Sequence, residues 1–248
     1  MSEGDQMVTN ELKVAFTHIP KTGGRSWKKL FREKFQRYKI MNSANAWQTN
    51  MPHDTVFGYY NLFIGHFGYD QIPLPRSFKY VTILREPVAR TISQYNHFIN
   101  MPSNMEVAAK MREEKPSLME FIDNEDPNIL FWVNAQTGYI CSSLEMVDEE
   151  GKLVYDLRDM FFSACHNICQ NYDSVGILER PEDTLKLFQH RYGIGGDLDT
   201  VGVTPKKYKV DVSKEDLEII RDQLEPDIAL YNLAGELLNE ALFKEGLD

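Results

Sequence analysis

The chain has 248 residues, a formal net charge of −10 and three cysteines. That length suits one α/β domain with a sizeable core, and the acidic balance argues against general nucleic-acid binding. Cys141, Cys165 and Cys169 form neither a disulfide framework nor a zinc site, so they read as buried free thiols in a reducing compartment.

The charge is uneven: residues 1–40 hold nine Lys/Arg against four Asp/Glu, so the acidity lies in the remainder. No run approaches the roughly 18 apolar residues of a membrane span, and the polar residues 1–10 lack the apolar core of a signal peptide. The expectation is a soluble, cytoplasmic protein, or the soluble part of one trimmed of a membrane anchor. Residues 1–12 read as a flexible N-terminus and 13–248 as a single domain.

In chain order, Lys13-Val14-Ala15-Phe16 reads as a short buried strand. Trp27, Leu30, Phe31 and Phe35 then fall at i, i+3, i+4 and i+8, one apolar face of a helix. The turn between them carries Lys21, Thr22, Gly23, Gly24, Arg25 and Ser26. Glycines let the backbone approach a ligand, the unpaired N–H groups of a helix start favour an anion, and lysine adds a movable charge. This is a phosphate-binding loop, but not the G-x-x-x-x-G-K-[ST] loop of nucleotide hydrolases, because Lys21 precedes the glycines.

Residues 59–66 read as a strand running into a glycine turn, and 79–85 as the clearest strand, apolar almost throughout and so covered on both faces. Pro87 opens a helix. Residues 105–112, 117–123 and 128–135 read as short helical pieces of an insertion over about 100–150. The stripe Leu157, Met160, Phe161, Ala164, Cys165 and Ile168 is a core-packing helix, 172–178 a strand, and Pro181 the start of another helix. Residues 193–202 form a glycine-rich loop, and 217–224 and 228–243 are closing helices. Alternating strands and helices predict an α/β fold whose central, mainly parallel sheet binds its ligand beyond the carboxyl ends of the strands.

A second motif, Arg85-Glu86-Pro87-Val88-Ala89-Arg90-Thr91-Ile92-Ser93, puts an arginine at a strand end and a serine about two helical turns later, a clamp suited to phosphate. A third element, Gly65-His66-Phe67-Gly68, offers a histidine flanked by glycines at the same sheet edge. His18, beside the loop but packed beneath it, is its competitor; His53 and His97 are weaker candidates.

The order Pro20-Lys21-Thr22-Gly23-Gly24-x-Ser26 resembles the 5′-phosphosulfate loop of sulfotransferases that use 3′-phosphoadenosine 5′-phosphosulfate (PAPS). It is most similar to the branch with the heparan and uronyl 2-O-sulfotransferases. The resemblance implies the P-loop-like sulfotransferase fold. It also implies that Lys21, Thr22, Gly23, Gly24 and Ser26 wrap the donor's phosphosulfate, with Lys21 stabilising the bridging oxygen. Arg25 departs from the small or hydroxyl residue usual at its place. Arg85 and Ser93 match, in type and spacing, the pair that binds the donor's 3′-phosphate. His66 matches the branch's catalytic base, and Lys206 or Lys207 falls where relatives carry a basic loop closing over the nucleotide. No metal is implied.

The expected function is therefore transfer of a sulfuryl group from PAPS to an acceptor hydroxyl, on a carbohydrate or small-molecule alcohol, by in-line displacement with a histidine base. The rivals are a nucleotide-dependent kinase or phosphotransferase, and a non-catalytic nucleotide-binding module.

Overall fold

The computed structural model describes residues 11–42, 57–72, 74–100, 105–141, 146–147, 153–154, 156–198 and 212–248. Strand β1 (Val14–Thr17) runs along the middle of a five-stranded sheet, and every one of its residues is buried. Its neighbours are β3 (Leu62–Gly65) on one side and β4 (Lys79–Leu84) on the other. Beyond them lie β2 (Ile40–Asn42) next to β3 and β7 (Tyr172–Ile177) next to β4. Each of these pairs is parallel. The sheet is thus more uniform than the expected mainly parallel one, and its edge strand β2 carries no sequence signal beyond three residues.

Helices cover both faces, as a parallel sheet requires. Helix α1 (Gly24–Lys34) buries Trp27, Leu30 and Phe31, the face read from its spacing. Phe31 stacks on Phe16 of β1, with ring centroids 4.3 Å apart and planes within 3°. Phe188 of α8 (Pro181–Tyr192) meets both Trp27 and Phe31 edge-on at 5.8 Å, a favoured aromatic geometry. Thr184 of α8 hydrogen-bonds both the amide and the carbonyl of Ile177, locking that helix to β7.

Helix α2 (Pro87–Asn100) starts with Pro87, and Glu86 accepts the amides of Val88 and Ala89. A proline in the first turn and an acidic residue at the cap satisfy the otherwise orphaned N–H groups. The 100–150 stretch holds the short helices α3 (Glu106–Glu114), α4 (Leu118–Ile122), α5 (Pro127–Val133) and α6 (Ala135–Ile140). It also contributes β5 (Met146–Val147), paired antiparallel with β6 (Leu153–Val154), a hairpin the sequence reading did not anticipate.

Helix α7 (Leu157–Gln170) is capped by Asp156 and packs under α10 (Glu225–Glu245). The closing pair is α9 (Lys214–Gln223) and α10, each starting a few residues before its apolar pattern does. A second apolar cluster, including Phe98, Phe121, Ile129, Val133 and Leu224, joins α2, α4 and α5 to the start of α10.

All three cysteines are free, but only Cys141 is buried; Cys165 is half-buried and Cys169 exposed. The expectation of three buried thiols fails because Cys169 sits on the solvent side of α7. No helix among the described residues is long and apolar enough to cross a membrane.

Because the sheet is parallel, the ends of β1, β3, β4 and β7 open on one edge. From β1 the chain passes to β2 and β3 on one side and later to β4 on the other, so strand order reverses beside β1. Such a reversal leaves a crevice outside the carboxyl ends, and the β1–α1 loop fills its floor.

Candidate active site

The β1–α1 loop owes its shape to two residues with positive φ, Lys21 at +73° and Gly23 at +76°. Gly23 occupies the N-cap of α1, where no side chain caps the helix and no acidic residue lies in the first turn. The amides at this helix start therefore keep their anion-binding capacity. Thr22 is buried and its Oγ1 donates to the Ile19 carbonyl at 2.9 Å, so the hydroxyl closes the loop from inside. Ser26 is half-buried and its amide donates to the Gly23 carbonyl at 3.2 Å, while Arg25 is exposed.

The second motif meets the first directly. The Arg85 guanidinium donates from Nη1 to the Lys21 carbonyl at 2.9 Å. Its own peptide is held on both sides by the buried amide side chain of Gln136: Arg85 N–H donates to Oε1 at 2.8 Å and Nε2 donates to the Arg85 carbonyl at 3.0 Å. Ser93 is half-buried on α2. His97, one turn further on the same face, has its pKa lowered by burial and then by Lys21 and Arg25.

The cations crowd one another. Lys21 is pushed below its ordinary pKa by burial first, then by Arg85, Arg25 and Arg90, and burial lowers Arg85 as well. Like charges gathered at an uncapped helix start make a site for a polyanion. Arg90 itself is fully buried and takes no part in the opening; it donates to the carbonyls of Trp132 and Val133 and lies 4.0 Å from Asp227.

His66 follows β3 at the same edge; the residue keeps solvent-exposed surface while its Nδ1 contact is part-buried. Its Nδ1 lies 2.8 Å from the His18 carbonyl. A carbonyl only accepts, so Nδ1 carries the proton and Nε2 is left as the basic nitrogen. Burial, then Lys28, lower the His66 pKa to about 4 against the partial support of that hydrogen bond, so the ring is neutral at physiological pH.

The His18 ring lies 4.6 Å from it, nine-tenths buried, with neither ring nitrogen hydrogen-bonded among the described residues. Burial, then Lys28, take the His18 pKa down to about 2. Its position beneath the loop agrees with the sequence reading. The Tyr139 ring, 6.4 Å from that of His66, lines the other side.

Lys21, Thr22, Gly23, Gly24, Arg25, Ser26, Arg85, Ser93 and His66 thus belong to one sheet edge. Lys206 and Lys207 lie outside the described residues, as does His53. Sequence reasoning missed Gln136, Lys28 and Asp227, whose roles depend on contacts made across the fold; the alternation of residue types around them carries no mark of it. Among the described residues no group of three His, Cys, Asp or Glu side chains could hold a metal.

No curated protein sequence matches the chain. Among solved structures, a mouse sulfotransferase, SULT7A1 complexed with PAP, aligns at 12% identity with a TM-score of 0.35, covering 86% of this chain and 63% of that one. This chain therefore spans less than two thirds of the mouse protein's length. The model of the sulfotransferase family matches residues 5–232, nearly the whole chain. The chain belongs to the sulfotransferase family.

Proposed function

We propose that the protein transfers a sulfuryl group from PAPS to an acceptor hydroxyl, with His66 as the base. The observation that carries this reading is the bond between the two anion-binding motifs, Arg85 Nη1 to the Lys21 carbonyl at 2.9 Å. It joins the loop read as the 5′ side to the arginine read as the 3′ clamp, which supports a ligand with two phosphate ends. A donor with a single phosphate chain would use only one of them.

In the step itself the acceptor oxygen attacks sulfur in line, an S–O bond forms, and the S–O bond to the bridging oxygen breaks. The acceptor's proton passes to Nε2 of His66, and adenosine 3′,5′-bisphosphate leaves. The fixed tautomer supports that role, because it makes Nε2 the nitrogen that can take a proton. Lys21 and the amides of the loop and α1 start meet the charge that grows on the leaving phosphate; dipoles already in place need no reorganisation as it grows. Arg85 and Ser93 hold the 3′-phosphate, with Gln136 fixing the Arg85 peptide.

The test is calorimetry of adenosine 3′,5′-bisphosphate against adenosine 5′-monophosphate. Arg85→Ala is expected to lose about 1.5–3 kcal/mol of binding for the bisphosphate, the worth of a charge-assisted hydrogen bond, and much less for the monophosphate. A variant that discriminates between the two ligands as well as the parent does removes Arg85 from the clamp.

A further inference from the structure

Lys28 has no part in the donor loop as read from the sequence, yet it faces the proposed base. Gly24 at the start of α1 lies directly against His18: a Cβ placed on it would stand 1.5 Å from the His18 Nε2. Lys28 is four residues on, hence one turn further along the same helix face, and it is half-buried there. The His18 ring is 4.6 Å from the His66 ring, and its carbonyl holds His66 Nδ1. Lys28 thus lies on the side of α1 that meets the His18 ring, which is tilted 41° to the His66 ring, and no carboxylate among the described residues forms an ion pair with it.

The cations of the site divide accordingly. Arg85, Arg25 and Arg90 act on Lys21, whereas Lys28 is the charge that acts on His66 and outranks Lys21 at His18. Two rings that face His66, those of His18 and Tyr139, are close to charge-free at neutral pH. His18, at the end of β1, is a neutral imidazole, and Tyr139, on α6, is a phenol whose pKa burial pushes up to about 12. Lys28 itself, lowered by burial and Arg32 to about 8, remains mostly an ammonium.

We propose that Lys28 is a positioning residue that makes proton uptake by His66 conditional on the donor: set one helical turn from the contact between Gly24 and His18, its ammonium adds to burial in disfavouring the imidazolium until the donor's anionic phosphosulfate offsets that charge. The inference rests on the donor reading above. Its benefit is chemical. A base that the cationic crevice keeps unprotonated is ready in its free form, and the arriving anion raises its proton affinity only once the sulfuryl group is in place to be transferred. An opposite charge within a few ångströms moves a histidine by a unit or more, enough to bring a strongly lowered pKa back toward the optimum for a base near neutral pH.

The experiment follows the His66 ring signal, in protein labelled with ¹³C-histidine and assigned with His66→Asn, between pH 5.5 and 8. Without ligand, the parent's His66 is expected to stay neutral across that window. With saturating adenosine 3′,5′-bisphosphate it should begin to titrate inside the window, an upward shift of about one pH unit or more. Lys28→Met should titrate inside the window without ligand and respond less to the bisphosphate, whereas Lys28→Arg, which keeps the charge, should behave like the parent.

A parent His66 that titrates near 6.5 without ligand overturns the proposal, and so does a Lys28→Met protein whose His66 stays neutral throughout. If Lys28→Met does not fold, the parent alone decides: no upward shift on saturation with the bisphosphate overturns it. Thermal stabilisation by the bisphosphate, read on the same samples, reports the donor reading separately.

Discussion

At Gly24 and Gly23 the backbone is hemmed in from two sides. A Cβ on Gly24 would meet the His18 ring at 1.5 Å, and one on Gly23 would meet Leu178 Cδ1 at 2.6 Å. The glycine pair was legible in the sequence as a loop that lets backbone approach an anion. His18 beneath the loop was legible too, but the seat of Gly23 against Leu178 was not, because Leu178 follows β7 and is brought in by the sheet.

His18 in turn determines what His66 can do, since its carbonyl selects the tautomer. His66→Ala is therefore expected to leave nucleotide affinity near that of the parent while turnover falls by about 10²–10⁴, the share of a general base. Assays of the folded variant with labelled sulfate donor, alongside calorimetry, check this. Near-normal turnover would take His66 out of the mechanism.

Among the elements, α10 is joined to the site at one remove, through Gln136. Its Asp227 is fully buried, accepts the amides of Gln136 and Thr137 at 3.2 and 2.7 Å, and lies beside Arg90. Burial pushes its carboxyl pKa up, while Arg90 and those two amides pull against that. Since Gln136 grips the Arg85 peptide, the chain from Asp227 through Gln136 to Arg85 ties the last helix to the clamp.

Asp227→Ala leaves the Arg90 cation buried without its counter-charge, a loss of about 3–5 kcal/mol in folding stability. Denaturant unfolding measures it, and a loss under 1 kcal/mol would mean that Arg90 is held by its carbonyl partners alone. The helices and strands of this network were legible from periodicity, but the network was not. Asp227 looks like one more acidic residue in a helix's first turn, and Gln136 like one polar residue in a loose helical stretch. Only packing shows that both are buried and face the β4 end.

For the molecule as a whole, the sequence indicated the parallel α/β frame and the basic end that carries the anion loop. It did not show that two histidines there are kept uncharged. The consequence is a sign. His18 takes up a proton near 6.5 when unfolded and only near 2 when folded, so its contribution to stability is present above 6.5 and is lost as pH falls below that value. The slope from His18 alone is about 1.4 kcal/mol per pH unit below 6.5, and the lowered His66 acts in the same direction. The melting temperature should fall between pH 7.5 and 5.5, and the fall should be shallower in a folded His18→Asn protein. A variant with the parent's slope would mean that the ring is charged within the fold.

The central claim is that the crevice takes a nucleotide with separate 5′ and 3′ phosphate ends. It is tested most directly by thermal unfolding with adenosine 3′,5′-bisphosphate and with ATP, each with and without Mg²⁺. A ligand of the native state at a hundred times its dissociation constant adds about 2.7 kcal/mol of stability. The account predicts an upward shift of that size from the bisphosphate, independent of Mg²⁺, and little from ATP. Equal shifts from both ligands, or a larger one from ATP with Mg²⁺, would contradict it and favour a phosphotransferase.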